Sequence, residues 1–128
     1  MTVIGVLAVV GPAAAQEPVA WGDPLQFSTF SIAAVDRITG EVGVAVTTRV
    51  PCVGNGVPWV RAGVGAVATQ ANTRTAYGTE LLDMLAGGMS AADALARAVA
   101  ADTGAARRQV GVIGLKGGGA QHTGAGTN

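Results

Sequence analysis

Cysteine occurs once in this chain, at Cys52, and histidine once, at His122. A single thiol rules out an intrachain disulfide and any cysteine-cluster metal site. With one imidazole beside it, a zinc centre built by the protein is short of ligands. Charge is scarce as well: 8 basic and 8 acidic residues in 128 leave zero formal net charge, and Arg107-Arg108 is the only adjacent basic pair. Without a basic patch, neither nucleic acid nor an anionic membrane surface is an expected partner. Residues 3–10 form an apolar run broken only by Gly5, too short to span a bilayer. Nucleotide signatures are missing too. Lys116 and the glycines after it lack the spacing of a phosphate loop, and the run GVGAVA completes no dinucleotide fingerprint. No cofactor and no metal is expected.

Apolar and small residues are what the chain does have, with 49% hydrophobic residues and 20 glycines. That composition belongs to a globular chain, and the length suits one domain. Residues 1–15 read as a signal peptide: the apolar run is followed by Pro12-Ala13-Ala14-Ala15, small residues of the kind a signal peptidase accepts. No Lys or Arg precedes Arg37, so the usual positive start is missing. The competing reading is an apolar N-terminal strand. Export to the periplasm or outside the cell is the expectation, with no membrane association in the mature form. Residues 16–28, punctuated by Pro18, Gly22 and Pro24, read as a linker or arm.

Residues 29–70 organise the remainder. Two short apolar runs, 29–35 and 42–46, flank Asp36-Arg37-Ile38-Thr39-Gly40-Glu41, whose Asp, Thr and Gly are turn formers. Both runs are apolar on both faces, so the hairpin calls for a covering layer on each side, and Ile32 and Val44 are expected to be buried. A loop over 49–58 carries Cys52 and Asn55, and residues 60–70 read as one further strand. Tyr77, Leu81 and Leu85 at intervals of four make a helical stripe ended by Gly87-Gly88. Ser90 with Asp93 resembles a capping box opening a second helix over 91–101. Residues 109–115 and 120–123 read as a last pair of strands joined by a glycine turn. The class is α+β: antiparallel hairpins plus two helices.

The segments TFSIAAVD, TGEVGVAVTTR, VPWVRAGVGAVATQANT and RRQVGVIG, with HTG near the end, resemble a bacterial family of uncharacterised proteins, domain of unknown function 1028, over residues 29–128. The resemblance implies an Ntn-hydrolase-like α-β-β-α layered sandwich. It further implies that this chain corresponds to the first half of such a domain, C-terminally truncated, with strand edges inviting self-association. Enzymes of the Ntn class use the first residue of the mature chain as nucleophile and its α-amino group as general base. By that resemblance Thr29 is the candidate nucleophile, with Thr47 and Arg49 at the end of the partner strand beside it. Gln70 and Asn72, at a later strand exit, are candidates for binding an amide or carboxylate. The substrate so implied is a small molecule or peptide with an amide bond.

Thr29 has a free amine only if the chain is cut between Ser28 and Thr29, since removal of residues 1–15 alone leaves thirteen residues ahead of it. Otherwise Thr29 is an ordinary β-branched strand residue. The second reading of function is a non-catalytic secreted binding or assembly domain on the same scaffold. His122 as a base and Cys52 as a nucleophile are weaker candidates, since no nucleophile elbow surrounds either.

Overall fold

The computed structural model describes residues 29–116 and 118–127; the expected signal peptide and arm lie outside the described residues. Strands β1 (Phe30–Val35) and β2 (Val42–Thr47) form an antiparallel pair in which Phe30 faces Thr47 and Val35 faces Val42. The connection closes as the turn chemistry requires. Asp36 Oδ1 accepts from the N–H groups of Ile38 (2.7 Å) and Thr39 (3.1 Å), and Gly40 takes a φ of +80°.

Four further strands make a second antiparallel sheet in the order β3 (Pro58–Arg61), β4 (Gly65–Ala71), β5 (Arg108–Gly114), β6 (Gly118–Thr123). The single strand expected over residues 60–70 is in fact two. Gly63, at φ +72°, turns the chain so that Arg61 pairs with Gly65, a backbone conformation glycine adopts without strain. The element order is therefore ββββααββ.

Helices α1 (Ala76–Ala86) and α2 (Ala91–Ala100) stand between β4 and β5 in sequence. At the end of α1 the Met89 N–H reaches the Met84 carbonyl (3.0 Å) and the Gly88 N–H that of Leu85 (3.0 Å), with Gly88 at φ +89°. This is a Schellman stop. Ser90 caps α2 by accepting from the Asp93 N–H at 3.1 Å, while its hydroxyl donates to Asp93 Oδ2 at 2.6 Å. With Asp in place of Glu, the reciprocal bond goes to the cap hydroxyl rather than to the cap backbone.

Both helices pack on one face of the four-stranded sheet. Tyr77, Leu81, Leu82, Leu95 and Ala98 close over Val67, Val110 and Val112, all buried. Gly78 lets the Trp59 indole lie flat on α1, since a Cβ there would sit 2.0 Å from the ring. The two-stranded sheet contacts β3, β4 and β5 from the opposite face. Among the described residues the layers thus run helices, four strands, two strands.

Strand alternation turns Ser31, Ala33, Val35, Val42, Val44 and Val46 inward to the larger sheet. Phe30, Ile32 and Ala34 turn outward. The expectation for Ile32 is corrected: it is 53% exposed, because no described element covers the outer face. Val44 is half-buried between the sheets.

Candidate functional site

The start of β1 lies over the ends of β4, β5 and β6, where the sheets part into a cleft of about 280 Å³. Its floor comes from two cross-strand rows. The outer row is Gln70–Gln109–Thr123, and the next is Ala68–Gly111–Gln121. Residues two apart in a strand share a face, so both rows point away from the helices. Thr29, Phe30 and Ser31 at the start of the smaller sheet line it from above, and Val110 and His122 border it.

Thr29 is exposed, and its Oγ1 lies 2.9 Å from Thr48 Oγ1. Thr48 Oγ1 also accepts from the Val50 N–H at 3.2 Å. On the facing wall Gln70 Nε2 donates to Gln109 Oε1, and Gln109 Nε2 donates to Thr123 Oγ1 at 3.3 Å. Gln70 Oε1 is buried without a hydrogen-bond partner among the described residues.

Of the residues singled out in the sequence, this geometry brings Thr29 and Gln70 together at one cleft. Thr47 pairs with Phe30 and faces outward with it, so the hydroxyl that meets Thr29 belongs to its neighbour Thr48. Arg49 stands in the exposed bend after β2 and does not line the cleft. Asn72 follows Ala71, which holds φ +65°, and is used through its backbone: its N–H donates to Arg107 O at 3.1 Å, and its carbonyl accepts from Arg108. Cys52 is exposed at φ +60°, leading into a short 3₁₀ turn over Val53–Asn55.

His122 is the register partner of Val110 and shares its helix-facing side, and its Nε2–H donates to the Ala105 carbonyl at 2.9 Å. That bond ties its ring to the segment after α2, while the residue also borders the cleft that holds Thr29. Sequence reasoning missed Gln109 and Gln121, and within the strand end Thr47-Thr48-Arg49 it did not single out Thr48 as the partner of Thr29. The strand over 109–115 was legible, but its register against Gln70 is a long-range fact.

A buried polar network closes the same end of the sheet from the helix side. Asp102 Oδ2 accepts from the Tyr77 hydroxyl (3.0 Å) and from Arg108 Nε (3.0 Å), and Oδ1 accepts from the Gly104 N–H (2.8 Å). The Arg108 guanidinium, reinforced by those other donors, holds the Asp102 carboxyl down at about 2. Burial, then the bond to Asp102, pushes the Tyr77 phenol up to about 12. The guanidinium of Arg74 pairs with Glu80 at 2.6 and 2.8 Å and lies 4.9 Å from the centre of the Tyr77 ring.

A wider, shallow hollow of about 720 Å³ opens at the hairpin turn, lined by Asp36, Thr39 and Glu41 among others. It lies at the far end of β1 from Thr29, and its Thr39 hydroxyl is engaged with Glu41 at 3.1 Å. Volume alone does not favour it over the smaller cleft. Among the described residues no group of three or more His, Cys, Asp or Glu is placed to hold a metal ion, and no helix is long and apolar enough to cross a membrane.

A comparison with solved structures finds protein SPO2555 from Silicibacter pomeroyi, a crystal structure assigned to the same family model that matches here, at 36% identity and a TM-score of 0.74. The match covers 80% of this chain and 48% of that one, so the chain spans about half the length of its solved relative. A search of curated proteins finds no match. The family model for domain of unknown function 1028, described as a family of unknown function, matches residues 29–128. The chain belongs to that family.

Proposed function

We propose that the protein is a hydrolase of amide-type bonds with Thr29 as an N-terminal nucleophile, built on an Ntn-hydrolase-like layered sandwich. The observation that carries the reading is the placement of Thr29 at the mouth of the inter-sheet cleft, 2.9 Å from the Thr48 hydroxyl. Either hydroxyl of the pair can donate to the other, and Thr48 also accepts from the Val50 N–H. When Thr48 donates, it steadies the Thr29 oxygen and leaves the Thr29 proton to be passed on. The family match beginning at residue 29 adds support for Thr29 as the first residue of the working domain.

After a cut between Ser28 and Thr29, the new α-amine has a pKa near 8 in an unperturbed chain and is close enough to take the hydroxyl proton. Oγ1 bonds to the substrate carbonyl carbon, and the C–N bond breaks. The departing amine leaves with the proton carried by the α-amine. Water then attacks the ester, releasing the acid and restoring the Thr29 hydroxyl. Export, through the apolar segment of residues 3–10 and Ala13–Ala15, is part of the same proposal.

The test is to determine the N-terminus of the mature protein by mass spectrometry and to label a chain engineered to begin at Thr29 with an amide- or ester-type electrophile. Labelling that disappears in Thr29→Ala supports the mechanism. Equal labelling of both chains overturns it.

One observation favours a second reading, a non-catalytic assembly domain. Phe30 and Ile32, 59% and 53% exposed, present an apolar face on a sheet that among the described residues has two strands and open edges. That reading expects a second copy of the chain on this face. A clean monomer in analytical ultracentrifugation at high micromolar concentration would eliminate it.

A further inference from the structure

We infer that the cleft beneath Thr29 is a binding site for a neutral carboxamide group, recognised by the glutamine row, and that it discriminates against charged groups. The inference deepens the hydrolase reading by naming its substrate class, and the binding it describes stands or falls apart from turnover.

The lining explains the selectivity. Thr29, Ser31, Gln70, Gln109, Gln121 and Thr123 supply hydroxyls and amides, and among the described residues no Asp, Glu, Lys or Arg lines the cleft. His122, the one titratable side chain among the described residues at its edge, has Nε2 bound to Ala105 and shares the opposite face with Val110. In the full chain, where Thr29 is held in a peptide bond and has no free amine, a carboxylate or ammonium entering here gives up water and meets no opposite charge among the described residues, which is strongly unfavourable. A carboxamide carries one acceptor and one or two donors, and a glutamine side chain answers both.

The glutamines are also held in place. Gln109 is committed at both ends, accepting from Gln70 and donating to Thr123. With one Nε2–H given to Gln109, Gln70 keeps a second N–H and an Oε1 that is buried and has no donor among the described residues. An unmet acceptor is costly, and a turn of the side chain that brings this oxygen to a ligand N–H removes that cost.

Between these amides the floor is cut away. Gly111 lies between Ala68 and Gln121 in the second row, and a Cβ built on it meets nothing within 4 Å. The notch is therefore unfilled space above small residues, one row inward from the Gln70–Gln109 pair and beneath Thr29 and Ser31.

The experiment follows the glutamine side-chain NH₂ signals of the full chain by NMR during titration with succinamide, succinate and 1,4-diaminobutane, three probes of equal backbone and different charge. Succinamide is expected to shift the Gln70, Gln109 and Gln121 signals, and the two charged probes are not. Gly111→Val, which fills open space, is expected to weaken succinamide binding about tenfold or more with an unchanged melting temperature. Gln121→Glu, at an exposed position, serves if the valine variant does not fold. It is expected to weaken succinamide and admit the diamine. Charged probes binding as well as succinamide, no binding of succinamide, or binding that ignores both variants would overturn the site. Binding of succinamide by a chain that hydrolyses no amide would retire the hydrolase and keep the site. Turnover of amides without preference for neutral ones would do the reverse.

Discussion

Strands β1 and β4 are built from much the same residues, small and branched apolar ones on both faces, yet they live in different surroundings. From Gly65 to Thr69 every residue of β4 is buried, whereas β1 alternates exposed and half-buried along its whole length. Helices cover one face of β4 and the hairpin covers the other; among the described residues β1 packs chiefly on β4 and β5, on one face. Burial here is a property of the layer count around a strand, and an apolar strand does not specify how many layers it receives.

The largest effect expected from that contrast is at the helix–sheet core. Leu81 is fully buried among Tyr77, Val67 and Leu95, so Leu81→Ala should lower stability by about 2–5 kcal/mol through lost transfer energy and a cavity. Denaturant midpoints would show it. A loss below about 1 kcal/mol would mean that this side of the sheet is not the stronger one.

Glycines make the next comparison. A Cβ on Gly65 would lie 2.2 Å from the Ile113 carbonyl oxygen, while one on Gly43, in β2, meets nothing within 4 Å. Gly65→Ala should therefore cost about 1–3 kcal/mol by forcing two backbones apart. Gly43→Ala should be neutral or slightly stabilising, because it only reduces the freedom of the unfolded chain. Equal effects would show that β4 and β5 separate as easily as the open sheet tolerates change.

The pH dependence separates the halves again. Asp102, almost wholly buried, has its carboxyl depressed from an ordinary 3.8 to about 2, chiefly by Arg108. The stability it contributes is present above pH 3.8 and is lost as the pH falls through about 2. Tyr77 is raised from 10.0 to about 12, mainly by burial. Its contribution is present below pH 10 and is lost as the pH rises through about 12. Asp102→Asn should flatten the acid limb of a midpoint-against-pH curve. Asp36→Asn should flatten it less, since the Thr39 and Ile38 N–H groups lower the Asp36 carboxyl too, but at a turn fully open to water.

The smallest effect belongs to Ile32. At 53% exposure, Ile32→Ala should cost about 1 kcal/mol or less. A loss comparable with that of Leu81→Ala would show that the outer face is covered in solution, which is what the assembly reading requires.

These contrasts also mark what a reader of the sequence could see. The hairpin turn, the Gly87-Gly88 stop and the Ser90 cap were legible because each is chemistry within five residues. The split of residues 60–70 into β3 and β4 was signalled only by Gly63, one glycine among several in that run. Thr29 and Gln70 could be named from strand ends, but Gln109 joins them through a register set 39 positions away. Thr47 and Thr48 both stand at the end of the partner strand, and the sequence does not say which of them meets Thr29, because the face of a strand end changes with every residue and nothing local fixes it. Ile32 was expected inside because its strand is apolar on both sides, and coverage is decided by distant elements.

The insertion of α1 and α2 between β4 and β5 has a kinetic consequence. Ala71 and Arg108 are sheet partners, yet residues 72–107 must be gathered before they can meet, and closing a loop costs entropy that grows with its length. The helix pair is the local structure within that loop, started by its own cap and stopped by its own glycine. Once formed, it shortens the span the two strands have to bridge. The expected order is helices first, then β4 on β5, with β5–β6 and β1–β2 zipping as independent hairpins. Mutations in the α1–α2 turn should therefore slow refolding, whereas those in the 36–41 turn should mainly speed unfolding. In this protein the route to the sheet runs through the layer that covers it.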